Sequence, residues 1–232
     1  MTNDYQYLII GGGMTAAAAI DGIREVDAKG AIGIISKETD PPYNRPPLSK
    51  GLWKGDLLDS VWRKMTGKPA ELHLGCLISE IDTGKRQVID NAGKIFSYEK
   101  LLLATGGTPR RLPFNDDQVI YFRTLSDYER LRGLTERGRR FAVIGGGFIG
   151  SEIAAALAMN GKKVVVIFPG REIGERLFPR ELSKYVSSVY RKKGVELVPG
   201  EKVVMSAARG NQRLLTTASG REIIVDGVVA GI

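Results

Sequence analysis

Three consecutive glycines near the start of the chain are the first residues whose spacing could do chemistry. They follow a short apolar run, and Gly11, Gly13 and Ala16 give the spacing G-x-G-x-x-G/A at the start of an alanine-rich segment. In a strand–turn–helix, the first glycine permits a tight turn, the second lets a pyrophosphate approach the backbone, and the small third residue lets helix pack on strand. The phosphate would lie against the free N–H groups at the helix start, around Met14 and Thr15. This stretch therefore predicts a dinucleotide-binding site.

A second copy of the fingerprint lies in the other half of the chain, again after an apolar run. Its residues are Gly145, Gly147, Phe148, Ile149 and Gly150. The apolar patterns of residues 93–104 and 220–231 also correspond, so the chain consists of two related nucleotide-binding halves. We predict the α/β fold class, with two Rossmann-like three-layer domains that each carry a small β-meander.

Periodicity and end signals place the other helices. The first is expected from about Met14 to Glu25, the second from an N-cap at Ser126, and the third to end at Asn160-Gly161. A fourth helix should begin with Pro179 at its first position and reach Lys193. Its apolar face would consist of Leu182, Val186 and Val189.

The composition narrows the classes of function. The net charge is +8, but the basic residues are scattered, so two bound polyanionic nucleotides explain the charge better than a specific nucleic-acid site. The single cysteine, Cys76, excludes a paired-thiol redox centre and suits a reducing compartment, and we expect a cytoplasmic protein. The single histidine, His73, is expected to lie in a short strand. With one histidine in the chain, a histidine-rich metal site is excluded. No apolar run is long enough to cross a membrane.

In each nucleotide-binding half, the residues that follow the second strand are expected to contact the ribose of the nucleotide. An acidic residue there usually takes the ribose hydroxyls, which points to Glu38 in the first half, although Lys37 competes for the position. In the second half the strand is followed by Gly170 and Arg171. This favours NADPH or weak discrimination, although Glu172 could still reach the ribose.

The least generic stretch, residues 42–53, reads P-Y-N-R-P-P-L-S-K-G-L-W. It resembles the flavin-contacting segment of FAD-dependent pyridine nucleotide-disulphide oxidoreductases, in the branch of ferredoxin reductases and apoptosis-inducing-factor-like proteins. The resemblance implies that Arg45 and Pro46 lie along the flavin and that Lys50 lies near the ring edge that exchanges hydride. The segment Y-E-K-L-L-L-A-T-G, at 98–106, also matches this family.

Further site residues follow from the same resemblance. The backbone near Leu77 would border the adenine, and the turn after the strand would pass under the flavin. Arg110, just beyond that turn, would touch the flavin. The residues of the turn are Ala104, Thr105 and Gly106, and their counterpart in the second half ends at Gly231.

Glu152 lies directly after the second fingerprint. A carboxylate is unexpected there, because its negative charge would be repelled by a bound phosphate. The family implies that it pairs with Lys50 and fixes the geometry of hydride transfer, without acting as a general acid or base. The alternative is a carboxylate that interacts only with the helix dipole.

Together these features predict a catalytic pair, Lys50 and Glu152, in an FAD-dependent NAD(P)H oxidoreductase. FAD would occupy residues 1–112 and NAD(P)H residues 113–232, and electrons would pass to a ferredoxin- or rubredoxin-type protein. The second strand pattern stops inside a turn at Gly231-Ile232, so we expect a fragment whose first domain lacks its returning segment, and whose full-length form could be a homodimer. The alternative function is a redox-sensing interaction protein with slow turnover.

Overall fold

The computed structural model describes residues 3–64 and 70–232, which form two compact units. The first unit comprises the described residues up to Asn44 together with those of Leu57–Gly107. The second comprises Arg45–Asp56 and Thr108–Ile232. These units differ from the sequence-based division at residue 112 in the placement of residues 108–112 and of the short segment Arg45–Asp56.

The elements follow one another in the order expected of two βαβ halves. Three short 3-10 helices, Pro46–Ser49, Gly51–Trp53 and Leu58–Val61, lie between the second and third strands. The helices are α1 (Met14–Val26), α2 (Leu125–Arg137), α3 (Phe148–Met159) and α4 (Arg180–Lys192). The strands are β1 (Asp4–Ile10), β2 (Ile32–Ser36), β3 (Glu71–Leu74), β4 (Ile78–Asp82), β5 (Gln87–Asp90), β6 (Ile95–Leu103), β7 (Val119–Tyr121), β8 (Arg140–Ile144), β9 (Lys163–Phe168), β10 (Glu196–Pro199), β11 (Val203–Arg209), β12 (Gln212–Thr217), β13 (Glu222–Val225) and β14 (Gly227–Ala230).

The first unit is built on one six-stranded sheet with the order β3-β2-β1-β6-β5-β4. The first four strands are parallel, and β5 and β4 are antiparallel to their neighbours. The predicted meander is therefore continuous with the parallel sheet. The cause is the length of β6, because its start pairs with β5 while its remainder pairs with β1.

Strand β1 supplies the core on both faces of this sheet. Leu8 and Ile10 belong to one buried cluster, with Phe96 of β6. Ile9 points the other way and packs with Ala16 and Ile20 of α1. A parallel strand that is covered on both faces has a continuous apolar sequence, and for this reason the apolar run of β1 predicts a strand.

The second unit has a five-stranded parallel sheet with the order β10-β9-β8-β14-β7. Its meander, β11-β12-β13, is a separate antiparallel sheet that packs on the parallel one through a shared buried cluster. The two halves confirm the predicted α/β fold class. Each has a parallel sheet in which a glycine turn joins a central strand to a helix.

The end of α3 agrees with the sequence prediction, whereas the start of α2 differs from it. Helix α3 ends at Met159, with Asn160 as C-cap and Gly161 at φ +72°, as predicted. Helix α2 begins before the predicted Ser126. Its N-cap is Thr124, which accepts from the Asp127 N–H, while the Asp127 side chain accepts from the Thr124 N–H. This reciprocal capping box outcompetes a lone serine cap.

The predicted apolar face of α4 is only partly buried, since Val186 and Val189 are half-buried. The helix buries Ser183 and Ser187, while Leu182 is 44% exposed. Ser187 faces inward because its hydroxyl accepts a hydrogen bond from the N–H of Ile173, at 2.9 Å, in a buried loop. Satisfying a buried backbone donor outweighs burial of one more apolar side chain.

A buried carboxylate joins the connection before β7 to the meander of the second unit. The Asp116 side chain is 4% exposed, lies 2.5 Å from Arg213 Nη2, and accepts a hydrogen bond from the Ser206 hydroxyl. Hydrogen bonds to charged groups are the stronger kind, so Asp116→Asn should lower the free energy of unfolding by about 2 kcal/mol. Urea unfolding measures this. Glu181→Gln, which removes an exposed pair with Lys184, is the control and should change little. An Asp116→Asn protein as stable as the wild type would contradict this account.

His73 should make the stability of the first unit depend on pH. Its Nε2 atom lies 2.6 Å from the Tyr5 hydroxyl, and its ring packs edge-on against Phe96. Burial lowers the pKa of His73 below its ordinary value of 6.5, and Lys94 adds to this effect while Glu71 opposes it. The folded protein therefore favours the neutral ring, and the unfolded chain takes up the proton first. Stability should fall as the pH drops from about 6.5 through the lower folded pKa.

Urea midpoints at about pH 7.5 and about pH 5.5 test this prediction. His73 is the chain's one histidine, so His73→Gln should flatten the pH dependence in this window. If His73→Gln loses as much stability on acidification as the wild type, the cause lies elsewhere.

Candidate functional site

The first glycine turn joins β1 to α1 and explains why its first residue lacks a side chain. Gly11 has φ +116°, and its N–H donates to Ile35 O at 2.8 Å. A Cβ on Gly11 would lie 2.1 Å from Ala104 O, because the turn passes close to the end of β6. The turn therefore brings together two groups of predicted site residues, the fingerprint and the segment Ala104–Gly106.

The second half of this turn is open. Apart from Gly13 itself and its two chain neighbours, no atom of the described chain comes within 4 Å of the place that a Cβ on Gly13 would take. Gly13 is also the N-cap of α1, so no side chain caps the helix, and the first turn holds no acidic residue. Met14 and Thr15 are exposed and Ala16 is buried against the strands. This arrangement fits an entering phosphate, which the helix N–H groups would bind.

The predicted ribose and flavin contacts of the first unit lie at the carboxyl edge of the same sheet. Lys37 is exposed just after β2, and Glu38 accepts a hydrogen bond from the Tyr43 hydroxyl at 2.5 Å. That bond orients the Glu38 carboxylate, whereas Lys37 extends into solvent. Leu77 is 44% exposed ahead of β4, and Thr105 and Gly106 are exposed after β6.

The second glycine turn repeats the first in detail. Gly145 has φ +117°, and its N–H donates to Ile167 O at 2.9 Å. A Cβ on it would lie 2.6 Å from Gly231 O, and one on Gly150 would lie 2.1 Å from Gly145 O. Gly147 is the N-cap of α3, and a Cβ there would meet no described atom within 4 Å beyond its own chain neighbours. The exposed side chains of Phe148 and Ile149 begin the helix. A second opening therefore lies at the start of a helix.

The predicted ion pair is present at the first turns of α3. Lys50 Nζ lies 2.9 Å from Glu152 Oε1, and the buried Ser49 hydroxyl donates to Glu152 Oε2 at 2.5 Å. Both carboxylate oxygens are therefore engaged. The Lys50 side chain stays 54% exposed, against 25% for Glu152. Glu152 is held in place, and its partner remains accessible.

The segment Arg45–Asp56 belongs to the second unit because several contacts anchor it there. Asn160 Nδ2, at the end of α3, donates to Trp53 O at 3.0 Å. The Trp53 ring is buried, packs edge-on against Tyr128 and donates its N–H to Leu48 O. Pro46 begins the first short 3-10 helix of this segment. These contacts fix the backbone on either side of Ser49 and Lys50.

The two predicted flavin-contacting arginines occupy different settings. The Arg45 guanidinium donates to Arg123 O at 2.8 Å, so part of its hydrogen-bonding capacity is used within the second unit. Arg110 is exposed after the end of β6.

The loop after β9 contains Glu175, which the sequence analysis did not identify as a site residue. Arg171, which the sequence predicts to contact the nucleotide, is exposed, and its N–H donates to Glu175 Oε2 at 2.7 Å. The same carboxylate oxygen lies 2.6 Å from the place of a Cβ on Gly170. The missing side chain at 170 was the available signal, because it leaves room for a neighbouring group.

Comparisons with known proteins identify the family of this chain. The family model for pyridine nucleotide-disulphide oxidoreductases matches residues 5–232, and the chain belongs to this family. Membership of this family supports FAD and NAD(P)H as the cofactors, and each of the two open glycine turns suits the pyrophosphate of one of them.

Two relatives and one solved structure show the range of similar proteins. The chain is 36% identical, over 98% of its length and 49% of the relative, to apoptosis-inducing factor 1, mitochondrial, of Dictyostelium discoideum. It is 32% identical, over 97% of its length and 59% of the relative, to the 3-phenylpropionate/cinnamic acid dioxygenase ferredoxin--NAD(+) reductase component of Photorhabdus laumondii. The covalent putidaredoxin reductase–putidaredoxin complex gives a TM-score of 0.89 at 28% identity, over 98% of this chain and 58% of that one. The chain thus spans about half to three fifths of the length of these relatives.

Across residues 3–64 and 70–232, no helix combines the length and apolar character needed to cross a membrane.

Proposed function

We propose that this chain is an FAD-dependent NAD(P)H oxidoreductase that passes electrons to a small redox protein. The observation that carries the proposal is the cluster of Ser49, Lys50 and Glu152 at the first turns of α3, next to an open glycine turn. Nicotinamide and flavin supply the hydride chemistry when they are bound, and the protein supplies position and electrostatics.

The cluster is suited to positioning. Glu152 has both oxygens occupied, one by Lys50 and one by Ser49, so it is poorly placed to move a proton. Its charge instead holds the Lys50 ammonium at one point, and the buried Ser49 hydroxyl prevents the carboxylate from turning. Lys50 and Glu152 would thus fix the geometry of hydride transfer.

The cofactors are assigned to the two glycine turns. FAD would take the turn of Gly11–Gly13, with Glu38 at its ribose and the exposed end of β6 under its ring. NAD(P)H would take the turn of Gly145–Gly147. Further residues proposed to contact the cofactors are Lys37, Arg45, Pro46, Leu77, Arg110, Phe148, Ile149, Gly170, Arg171 and Gly231.

A ferredoxin- or rubredoxin-type protein is the proposed acceptor, supported by the relative named as a ferredoxin reductase component and by the putidaredoxin complex. We propose a cytoplasmic location, because the single cysteine, Cys76, forms no disulfide within the chain and needs no oxidising compartment.

A visible absorption spectrum of the purified protein, before and after anaerobic addition of NADH or NADPH, tests the proposal. We expect flavin bands that bleach with either nucleotide. Electron transfer to a small iron–sulfur protein should then be followed by absorbance. A protein that binds added FAD but is reduced by neither nucleotide would refute the proposal.

A redox-sensing interaction protein is the second candidate, favoured by the 36% identity to an apoptosis-inducing factor. Rapid turnover with an iron–sulfur acceptor would support the reductase. Slow turnover, with a long-wavelength absorbance band that persists after NAD(P)H is added, would support the sensor.

A further inference from the structure

The end of β9 lacks the acidic side chain that usually marks a ribose site. The strand ends at Phe168 and is followed by Pro169 and Gly170. However, the space at Gly170 is filled from elsewhere in the loop, since Glu175 Oε2 lies 2.6 Å from the place of a Cβ on that glycine. A carboxylate is therefore present at the strand end without being adjacent to it in sequence.

This carboxylate is held by the backbone of its own loop. The Arg171 N–H donates to Glu175 Oε2 at 2.7 Å, and the Glu175 N–H donates to Glu172 O at 3.3 Å. The loop is in turn tied to the glycine turn, because the Gly174 N–H donates to Gly146 O at 2.8 Å. Gly174 has φ +71°, a conformation that favours glycine. The Glu175 carboxylate is thus held in a loop that is fixed to the nucleotide-binding turn.

The neighbouring acid is directed elsewhere. Glu172 Oε2 lies 3.8 Å from Arg191 Nη1 at the end of α4, and the Glu172 side chain is only 23% exposed. Glu175 is exposed, so it is the more accessible of the two carboxylates.

We propose that Glu175 accepts hydrogen bonds from the adenosine ribose hydroxyls of the nicotinamide nucleotide and makes this site prefer NADH to NADPH. The inference rests on the proposed function. Ribose hydroxyls are donors and a carboxylate is an acceptor, whereas a ribose phosphate next to the same carboxylate would be repelled. The preference for NADPH suggested by Gly170 and Arg171 alone is reversed, because the chain supplies the missing charge from position 175.

Calorimetric titration of the purified chain with NAD⁺ and with NADP⁺ tests the inference without any turnover. The wild type should bind NAD⁺ more tightly. Glu175→Gln keeps an acceptor for the Arg171 N–H but removes the charge, so NAD⁺ binding should weaken about tenfold. NADP⁺ binding should stay unchanged or tighten, and the ratio of the two dissociation constants should shift by about 10- to 100-fold.

Gly170→Ala is an independent variant. Its methyl group would displace the Glu175 carboxylate, which is the end of a flexible side chain, so the fold should survive. The NAD⁺ preference should fall in the same direction as in Glu175→Gln, with an unchanged melting temperature.

Glu172→Gln separates the two acids and should change the ratio less than about twofold. A wild type that prefers NADP⁺, which would point to Arg171, overturns the inference. So does a shift caused by Glu172→Gln and not by Glu175→Gln. If the wild type binds neither nucleotide, the proposed function itself fails, whereas binding of both with no effect of Glu175→Gln defeats only this inference.

Discussion

Glu152→Gln is expected to slow the reduction of FAD by NAD(P)H about 100-fold, because loss of the charge releases the Lys50 ammonium from its position. Small misplacements of groups at a reacting centre cost about this much. The pair is short, at 2.9 Å, and Ser49 braces the same carboxylate, so the geometry depends on Glu152 more than on either partner. Anaerobic stopped-flow absorbance at saturating nucleotide measures the rate.

The matched control is Glu181→Gln, which also removes one glutamate from an ion pair with lysine but lies on the exposed side of α4. It should reduce FAD at nearly the wild-type rate. Ser49→Ala should lie between the two, since it removes the brace and leaves the charge. A wild-type rate in Glu152→Gln, with FAD fully bound, would show that the pair has no part in hydride transfer.

Gly11→Ala is expected to destabilise the protein by about 4 kcal/mol, as a sum of backbone strain and overpacking. The residue has φ +116°, and the new methyl carbon would start 2.1 Å from Ala104 O, a backbone atom that cannot move cheaply. This is a large fraction of the stability of an ordinary domain, so we expect a low urea midpoint and poor recovery of folded protein.

Gly13→Ala distinguishes an effect on FAD binding from an effect on folding. The position has φ −90° and open space around the missing Cβ, so the melting temperature of the cofactor-free protein should be unchanged. The methyl group would occupy the approach of the pyrophosphate, and FAD affinity should fall at least about tenfold. FAD titration followed by flavin fluorescence measures this. Equal FAD affinity in Gly13→Ala and the wild type would remove the first glycine turn from the cofactor site.

The glycine turns were predictable because their chemistry is local. A tight turn at φ near +117° with no room for a Cβ allows little except glycine, and the apolar strand before it and the helix after it lie in the same short window. The Lys50–Glu152 contact spans a hundred residues and came from the resemblance, since no local pattern connects the two positions.

Other features depend on contacts that a linear pattern does not contain. The periodicity of α4 pointed Leu182 inward, whereas the helix turns Ser187 inward to satisfy the Ile173 N–H. Glu175 lies at the strand end because the Arg171 N–H binds its carboxylate in a loop that Gly174 ties to Gly146. In both cases a backbone hydrogen bond between residues distant in sequence helps to decide where the side chain lies.

The placement of Arg45–Asp56 affects how this protein could be dissected. A polypeptide ending near residue 112 would carry the segment without Glu152 and Asn160, which hold it, and its complement would retain those residues without the segment. A single cut in the chain therefore cannot give both units intact. A separate peptide spanning 45–56 would supply the second unit with the segment that such a cut removes.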